Sequence, residues 1–162
     1  MMLLVFKVGE DRYGVDVNAI VEVTPSVPLQ SIPQVPDYVV GLLNFRGKVV
    51  PVFDLSRLIA HSPARRCLST RIMLVELKQM DGKIVGLLAE EATETIKVRE
   101  EDISHTGIEG GTEAFVDGVV LNGEGMIRLI DPDKILSTEV KAFLAGDKKG
   151  TALAEEEVGN DA

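Results

Sequence analysis

Between Val39 and Ile59 the chain reads VVGLLNFRGKVVPVFDLSRLI, and this stretch leaves few ways to fold. Val39–Leu43 and Val49–Phe53 are apolar, rich in β-branched residues and of strand length. The polar corner Asn44-Phe45-Arg46-Gly47-Lys48 separates them, and Gly47 permits the backbone to reverse. The reading is a hairpin of two buried strands. Asp54 follows where its carboxylate can accept hydrogen bonds from the amides that open a short amphipathic segment, Leu55–Ile59. Arg46 stands apart. A cation at a hairpin corner in an acidic chain serves no folding need, which points it at a partner.

Composition narrows the classes. A chain of 162 residues is long enough for one domain, or for two small ones sharing a core. Apolar residues make up 45%, enough for a packed globular interior, yet no apolar run approaches the roughly 18 residues that span a bilayer. Met1–Phe6 runs into Lys7 without a basic leader or a small-residue cleavage site, so it reads as a strand and not a signal peptide. The single cysteine, Cys67, excludes an internal disulfide framework and fits a reducing cytoplasm. A net charge of −9 argues against nucleic acid or an anionic membrane surface as the main partner, because both would repel it.

Most of the chain divides into short strands bounded by turns. Leu3–Val8 is followed by a Gly9-Glu10-Asp11 turn and by Tyr13, Val15 and Val17, whose alternation with Gly14, Asp16 and Asn18 predicts a half-buried strand. Ile20–Val23 is the next. Thr24–Pro36, with four prolines, is an ordered loop or edge. A loop at His61–Ser69 leads to strands at Ile72–Leu77, Lys83–Leu88 and Thr93–Val98. The Gly-rich stretch Gly107–Gly111 then precedes strands at Phe115–Leu121 and Met126–Ile130. From Asp131 the pattern becomes helical. Asp131 is a cap, Pro132 suits the first turn, and Leu136, Val140, Phe143 and Leu144 share a face; Ser137 offers an alternative cap, with a break near Leu136. Residues 146–162 form an acidic tail with little to bury, expected to be disordered.

An internal repeat runs beneath this order. Gly41 and Asp54 recur as Gly118 and Asp131, displaced by 77 residues, and Gly14 and Glu22 recur as Gly86 and Glu94, displaced by 72. A period near half the chain suggests two similar β units. The position matching Arg46 is Gly123, so a shared scaffold does not require the arginine.

Nothing in the sequence assembles a catalytic centre. His61 and His105 lie in polar loops without metal-ligand spacing. Arg65 and Arg66 lie near enough to acidify the Cys67 thiol, but no histidine is near it in sequence, and an ordinary free cysteine is the simpler reading. Glu90, Glu91 and Glu94 read as a solvated acidic face, since the chain lacks tryptophan and the aromatic platforms of carbohydrate enzymes. Asn122-Gly123-Glu124-Gly125 lacks the Lys-Ser/Thr of a phosphate-binding loop and reads as a hairpin turn in which Asn-Gly tolerates positive φ. No enzyme activity, cofactor or metal is expected.

The residues Gly41, Asn44, Arg46, Gly47, Pro51, Asp54 and Leu55 resemble the central motif of the CheW family of chemotaxis adaptors. Tyr13-Gly14-Val15-Asp16 with Ile20-Val21-Glu22-Val23 resembles the family's second and third strands, and Val85-Gly86-Leu87-Leu88 with Glu94-Thr95-Ile96 the start of its second half. The second-unit corner, Asn122-Gly123-Glu124, is more polar than is typical for the family. The resemblance implies a mainly β fold: two five-stranded SH3-like β-barrels around a shared hydrophobic core, intertwined within residues 1–145, the second unit roughly 71–130, with short helices and a C-terminal helix. It implies a non-enzymatic cytoplasmic adaptor. Its partners would be the regulatory domain of a CheA-type histidine kinase and the cytoplasmic tips of chemoreceptors, with ring assemblies alongside the kinase. By the same resemblance Glu22 and Arg46 are a charged pair at the binding surface, with Asn44 and Phe45 in the same corner, while Ile20 and Gly41 match positions implicated in receptor coupling. For Ile20 plain core packing is an equal reading, and for Gly41 a bulge or close backbone approach. An adaptor for pilus motility or development stays open, and more remotely a small-barrel nucleic-acid binder, which would need a basic face with exposed aromatics.

Overall fold

The computed structural model describes residues 1–105, 115–136, 140, 141 and 144. Its strands are β1 (Met2–Val8), β2 (Asp11–Asp16), β3 (Ile20–Pro25), β4 (Val39–Phe45), β5 (Lys48–Asp54), β6 (Arg71–Leu77), β7 (Lys83–Lys97), β8 (Val116–Asn122) and β9 (Gly125–Ile130). Among the described residues, the short helices α1 (Leu55–Ala60) and α2 (Pro132–Ile135) follow β5 and β9, and Val140, Lys141 and Leu144 are also helical. The protein is mainly β.

Two sheets meet on β7. Its residues 83–89 pair antiparallel with β6 along one edge, and residues 86–88 pair parallel with β5 along the other. β3 extends that sheet beyond β6 and β4 extends it beyond β5. Residues 90–97 of β7 pair instead with β1, which continues through β2 and β9 to β8. Lys83–Leu88 and Thr93–Val98, expected as separate strands, are therefore largely one strand of 15 residues, ending at Lys97. The break in apolar pattern that separated them marks a register shift, with Glu91 in the left-handed region at φ 49°. A bulge of this kind re-aims a strand without ending its ladder.

The faces of the strands explain the core. Met73, Val75 and Leu77 of β6 join Leu4, Phe6 and Val8 of β1 in a central cluster shared by both sheets, with Phe53, Leu55, Leu87 and Leu136. The intervening residues fill a separate cluster for each sheet. Ile72 and Leu74 pack with Leu43, Phe45, Val50 and Val52, and Leu3 and Val5 pack with Val120, Ile127 and Leu129. Strands covered on both faces need apolar residues at odd and even positions alike, hence continuous apolar runs. β2 departs from the half-buried strand expected there: Gly14 is buried with Tyr13 and Val15, and Val17 begins a 3₁₀ turn, Val17–Ala19, capped by Asp16. A Cβ on Gly14 would lie 3.2 Å from Ile127 Cγ2, and one on Gly86 would lie 2.9 Å from Val52 Cγ2.

The repeat holds in register. Gly41 pairs with Val52 and Leu43 with Val50; Gly118 pairs with Leu129 and Val120 with Ile127, each displaced by the same 77 residues. Both hairpins carry a register shift just before the glycine. Their tips differ. Asn122 ends β8 outside the positive-φ region, and it is Gly125, at φ 121°, that takes the strained position expected of Asn-Gly. Asn122 acts through its side chain, accepting from the Glu124 amide at 3.0 Å.

Each hairpin hands over to a helix capped by aspartate. Asp54 Oδ1 accepts from the amides of Ser56 and Arg57, and Oδ2 accepts from Ala64 at 3.0 Å, so one buried carboxylate caps α1 and anchors the following loop. Asp131 caps α2, and Asp133 within it accepts from the amides of Lys78 and Gln79. α2 ends at Ile135, because Leu136 is extended at φ −80°, ψ 107°, and the chain is helical again at Val140, Lys141 and Leu144, in line with the alternative of a break near Leu136. Leu136, Val140 and Leu144 are buried in the shared core. Gly107–Gly111, Ser137, Phe143 and the tail 146–162 lie outside the described residues. Asp54→Ala removes the cap and the loop anchor together and should cost about 2 kcal/mol. Calorimetric melting should show a fall of roughly 4–8 °C.

Candidate functional site

The β4–β5 hairpin closes with the pair Phe45–Lys48, leaving Arg46 and Gly47 as a two-residue turn. Both take positive φ, 52° and 83°, the turn whose twist matches paired strands. Reversal therefore does not rest on Gly47 alone. Arg46 shares it, in a region that costs a side-chain-bearing residue about 1 kcal/mol. Asn44 supports the turn by accepting from the Gly47 amide at 3.0 Å.

From this corner the guanidinium reaches back over its own strand end. Arg46 Nη2 donates to Glu22 Oε1 at 2.7 Å, and the Arg46 guanidinium carbon lies 4.9 Å from the centroid of the Phe45 ring. Phe45 is itself buried, one of the anchors of the first sheet's cluster. Glu22 lies on β3 and Arg46 beyond β4, the two outermost strands of one sheet. The ion pair thus joins opposite ends of that sheet. It does so in solvent: the Arg46 side chain is 73% exposed. A pair so placed is worth about 0–1 kcal/mol to folding. Val49, opposite Asn44, adds an apolar side chain 70% exposed.

Glu22, Asn44, Phe45 and Arg46 are thereby brought together. The other two expected site residues sit elsewhere. Gly41 is buried, where a Cβ would stand 2.6 Å from the Gln30 carbonyl oxygen, so its local role is the close backbone approach that pairs Gln30 with Leu42. Ile20 is half-buried against the shared core.

The second tip uses another design that sequence spacing did not reveal. Arg12 of β2, only 11% exposed, donates to Asn122 Oδ1 and approaches Glu94 and Glu124 at 3.5 and 3.3 Å. Glu94 is the counterpart of Glu22. Its cation comes from β2, the strand beside the β8–β9 hairpin, and is nearly buried, and the tip exposes Leu121, Met126 and Glu124 in place of an arginine. The acidic group near it is also less uniform than a solvated face. Glu90 is buried and accepts from Arg65 Nε at 2.8 Å, while Glu91 pairs with Lys7. The sequence signal was there in Arg65, but the partner lies 25 residues away.

No group of three metal-binding side chains occurs among the described residues. His105 contacts the Asp117 carbonyl at 2.9 Å, and Lys134 pairs with Asp117, which holds its ammonium above the usual lysine range. Cys67 is exposed, and hydrogen bonding with Ser69 and with Thr70, with Arg65 behind them, holds its thiol below the ordinary range.

The family profile described as the CheW-like domain matches residues 2–140. The chemotaxis protein CheW of Rhizobium meliloti is 30% identical over 139 residues, covering 85% of this chain and 88% of that protein. CheW of Bacillus subtilis is 25% identical over 85% of this chain and 87% of its own. Among solved structures, the scaffolding protein TtCheW of Thermoanaerobacter tengcongensis superposes with a TM-score of 0.75 at 28% identity, covering 86% of this chain and 89% of that one. No helix among the described residues is long and apolar enough to cross a membrane.

Because more thiolate is present when the thiol pKa is lowered, alkylation of Cys67 by iodoacetamide should reach half its maximal rate below the pH of about 8.5 typical of a free cysteine. Ser69→Ala should move that midpoint upward. A profile identical to that of a free thiol would contradict the hydrogen-bonded geometry.

Proposed function

The chain belongs to the CheW-like domain family, and from that premise we propose that the Arg46–Glu22 tip is its docking surface for the regulatory domain of a CheA-type histidine kinase. Its function is that of a non-enzymatic chemotaxis scaffold coupling receptors to the CheA kinase. Such a task needs surfaces rather than reactive groups.

The observation that carries the assignment is the mismatch between the design of the tip and its value for folding. Arg46 occupies a positive-φ turn position, and its ion pair is open to water. An exposed pair contributes little stability, while arginine stacked on an aromatic ring is a frequent interface anchor. Glu22 and Phe45 hold the guanidinium in place, Asn44 holds the turn, and Val49 supplies an apolar neighbour. The Arg46 counterpart at the other hairpin is Gly123.

The finer architecture belongs to the same proposal. Residues 1–145 form two SH3-like barrels, each drawing strands from both halves of the chain, and 146–162 is a separate acidic tail. Support for closure comes from the Glu22–Arg46 link between the outermost strands of the first sheet and from Arg12, which bridges β7 and the β8–β9 turn in the second. The cytoplasmic tip of a chemoreceptor then lies in an apolar groove between the units, near Ile20 and the Gly41 bulge, with its apolar helical face inward. This places the protein in the cytoplasm at membrane-associated receptor arrays, within rings that include the kinase.

Calorimetric titration against the regulatory domain of the host's CheA-type kinase tests the first step. Micromolar binding is expected, and Arg46→Ala should weaken it by about 2 kcal/mol, roughly thirty-fold. Arg46→Asn, better suited to the left-handed turn, should weaken it similarly while leaving the melting temperature within a few degrees. Unchanged affinity in both variants, or no binding by the parent chain, would overturn the assignment.

A further inference from the structure

The turn after the α1 loop holds the most exposed large apolar side chain among the described residues, Leu68, at 97%. Its exposure does not come from a loose loop. Thr70 Oγ1 donates to the Arg65 carbonyl at 2.6 Å and accepts from the Cys67 amide at 3.0 Å, and the Thr70 amide closes the turn onto the Cys67 carbonyl. Arg71 donates to the Leu68 carbonyl, and the Ala92 amide ties Ser69 to β7. At its base, Ala64 is fixed to Asp54. A leucine is thus held out into water by a rigid frame, an arrangement that loses apolar burial unless something covers it.

The charge beside it indicates the cover. Arg65 and Arg66 immediately precede the turn, in a chain whose net charge is −9. The Arg65 side chain remains 75% exposed even while it pairs with Glu90, and Arg66 is exposed. The complement, acidic and apolar together, is written in the chain itself: Leu153-Ala154-Glu155-Glu156-Glu157-Val158. Leu144 is buried in the shared core that also contains Leu55 of α1. Glu155 lies eleven positions beyond Leu144, a reach of roughly 35 Å at about 3.3 Å per residue, comparable with the diameter of a domain of this size.

We infer that the Arg65–Leu68 turn is the docking site for residues 153–158 of the same chain, with the three glutamates facing Arg65 and Arg66 and an apolar side chain of the tail against Leu68. The contact is independent of the Arg46 tip and of any kinase.

A nitroxide tests it in the full-length protein. Carried on Gly159→Cys in a Cys67→Ser background, the label should broaden the amide signals of residues 65–69 and the Leu68 methyls, relative to the reduced sample. The broadening should disappear in 1 M salt, where the screening length falls to about 3 Å. It should also disappear with Arg66→Glu or Leu68→Ser, two exposed positions whose substitution leaves the strand amides unshifted. No broadening at the turn would overturn the inference. Broadening seen only when labelled and isotope-enriched molecules are different copies would overturn it too, assigning the site to the tail of a second molecule.

Discussion

The fold depends on one strand serving two sheets. In its first half β7 is hydrogen-bonded along both edges, antiparallel to β6 and parallel to β5; in its second half it pairs with β1. Buried amides and carbonyls require partners, and a continuous ladder through the bulge at Glu91 satisfies them without a loop crossing the interior. Because the strand is shared, the two sheets share a core as well. Residues on one face of β6 and β1 meet in the central cluster, while the other faces fill the two lateral clusters. Gly86 and Gly14 sit at matching points in the crowded lateral layers, where a methyl group would press on Val52 or Ile127.

Upon this frame the two hairpins repeat each other in pairing, bulge, glycine and helix-capping aspartate, while their tips diverge. The backbone plan constrains what lies near the core and releases what lies beyond it. At the first tip a glutamate of β3 receives an exposed arginine from the turn. At the second, the matching Glu94 receives a nearly buried arginine from β2. One tip presents a cation held against Phe45; the other keeps its cation inside and presents Leu121, Met126 and Glu124. Equivalent scaffolds with different surface chemistry suit a scaffold that contacts unlike partners, since binding discriminates through the groups at the contact and not through the strands beneath.

Much of the first site was legible because its residues are local. Asn44, Phe45, Arg46 and Gly47 follow one another, and the family motif carries them as a unit. Glu22 came from resemblance, since no spacing rule places residue 22 beside residue 46; the contact exists only because the sheet brings its outer strands together. Arg12 escaped notice for the same reason, as its partners lie at 94, 122 and 124. Glu90, grouped in sequence with a solvated acidic run, is buried because the bulge turns its side chain toward the loop that carries Arg65.

What the sequence by itself determined is local and periodic: the strand segments, the Arg46-Gly47 corner, the aspartate caps and a two-part repeat of 72 and 77 residues. Apolar alternation, turn residues and capping side chains act over a few positions, so their chemistry can be read without a partner in view. Only the tertiary structure decided that Lys83–Lys97 is a single strand, that each sheet is assembled from both halves of the chain, and which cation each glutamate receives. Those outcomes depend on long-range ladders and on burial from both faces. A strand's own sequence records that it is apolar, and not which neighbours will cover it.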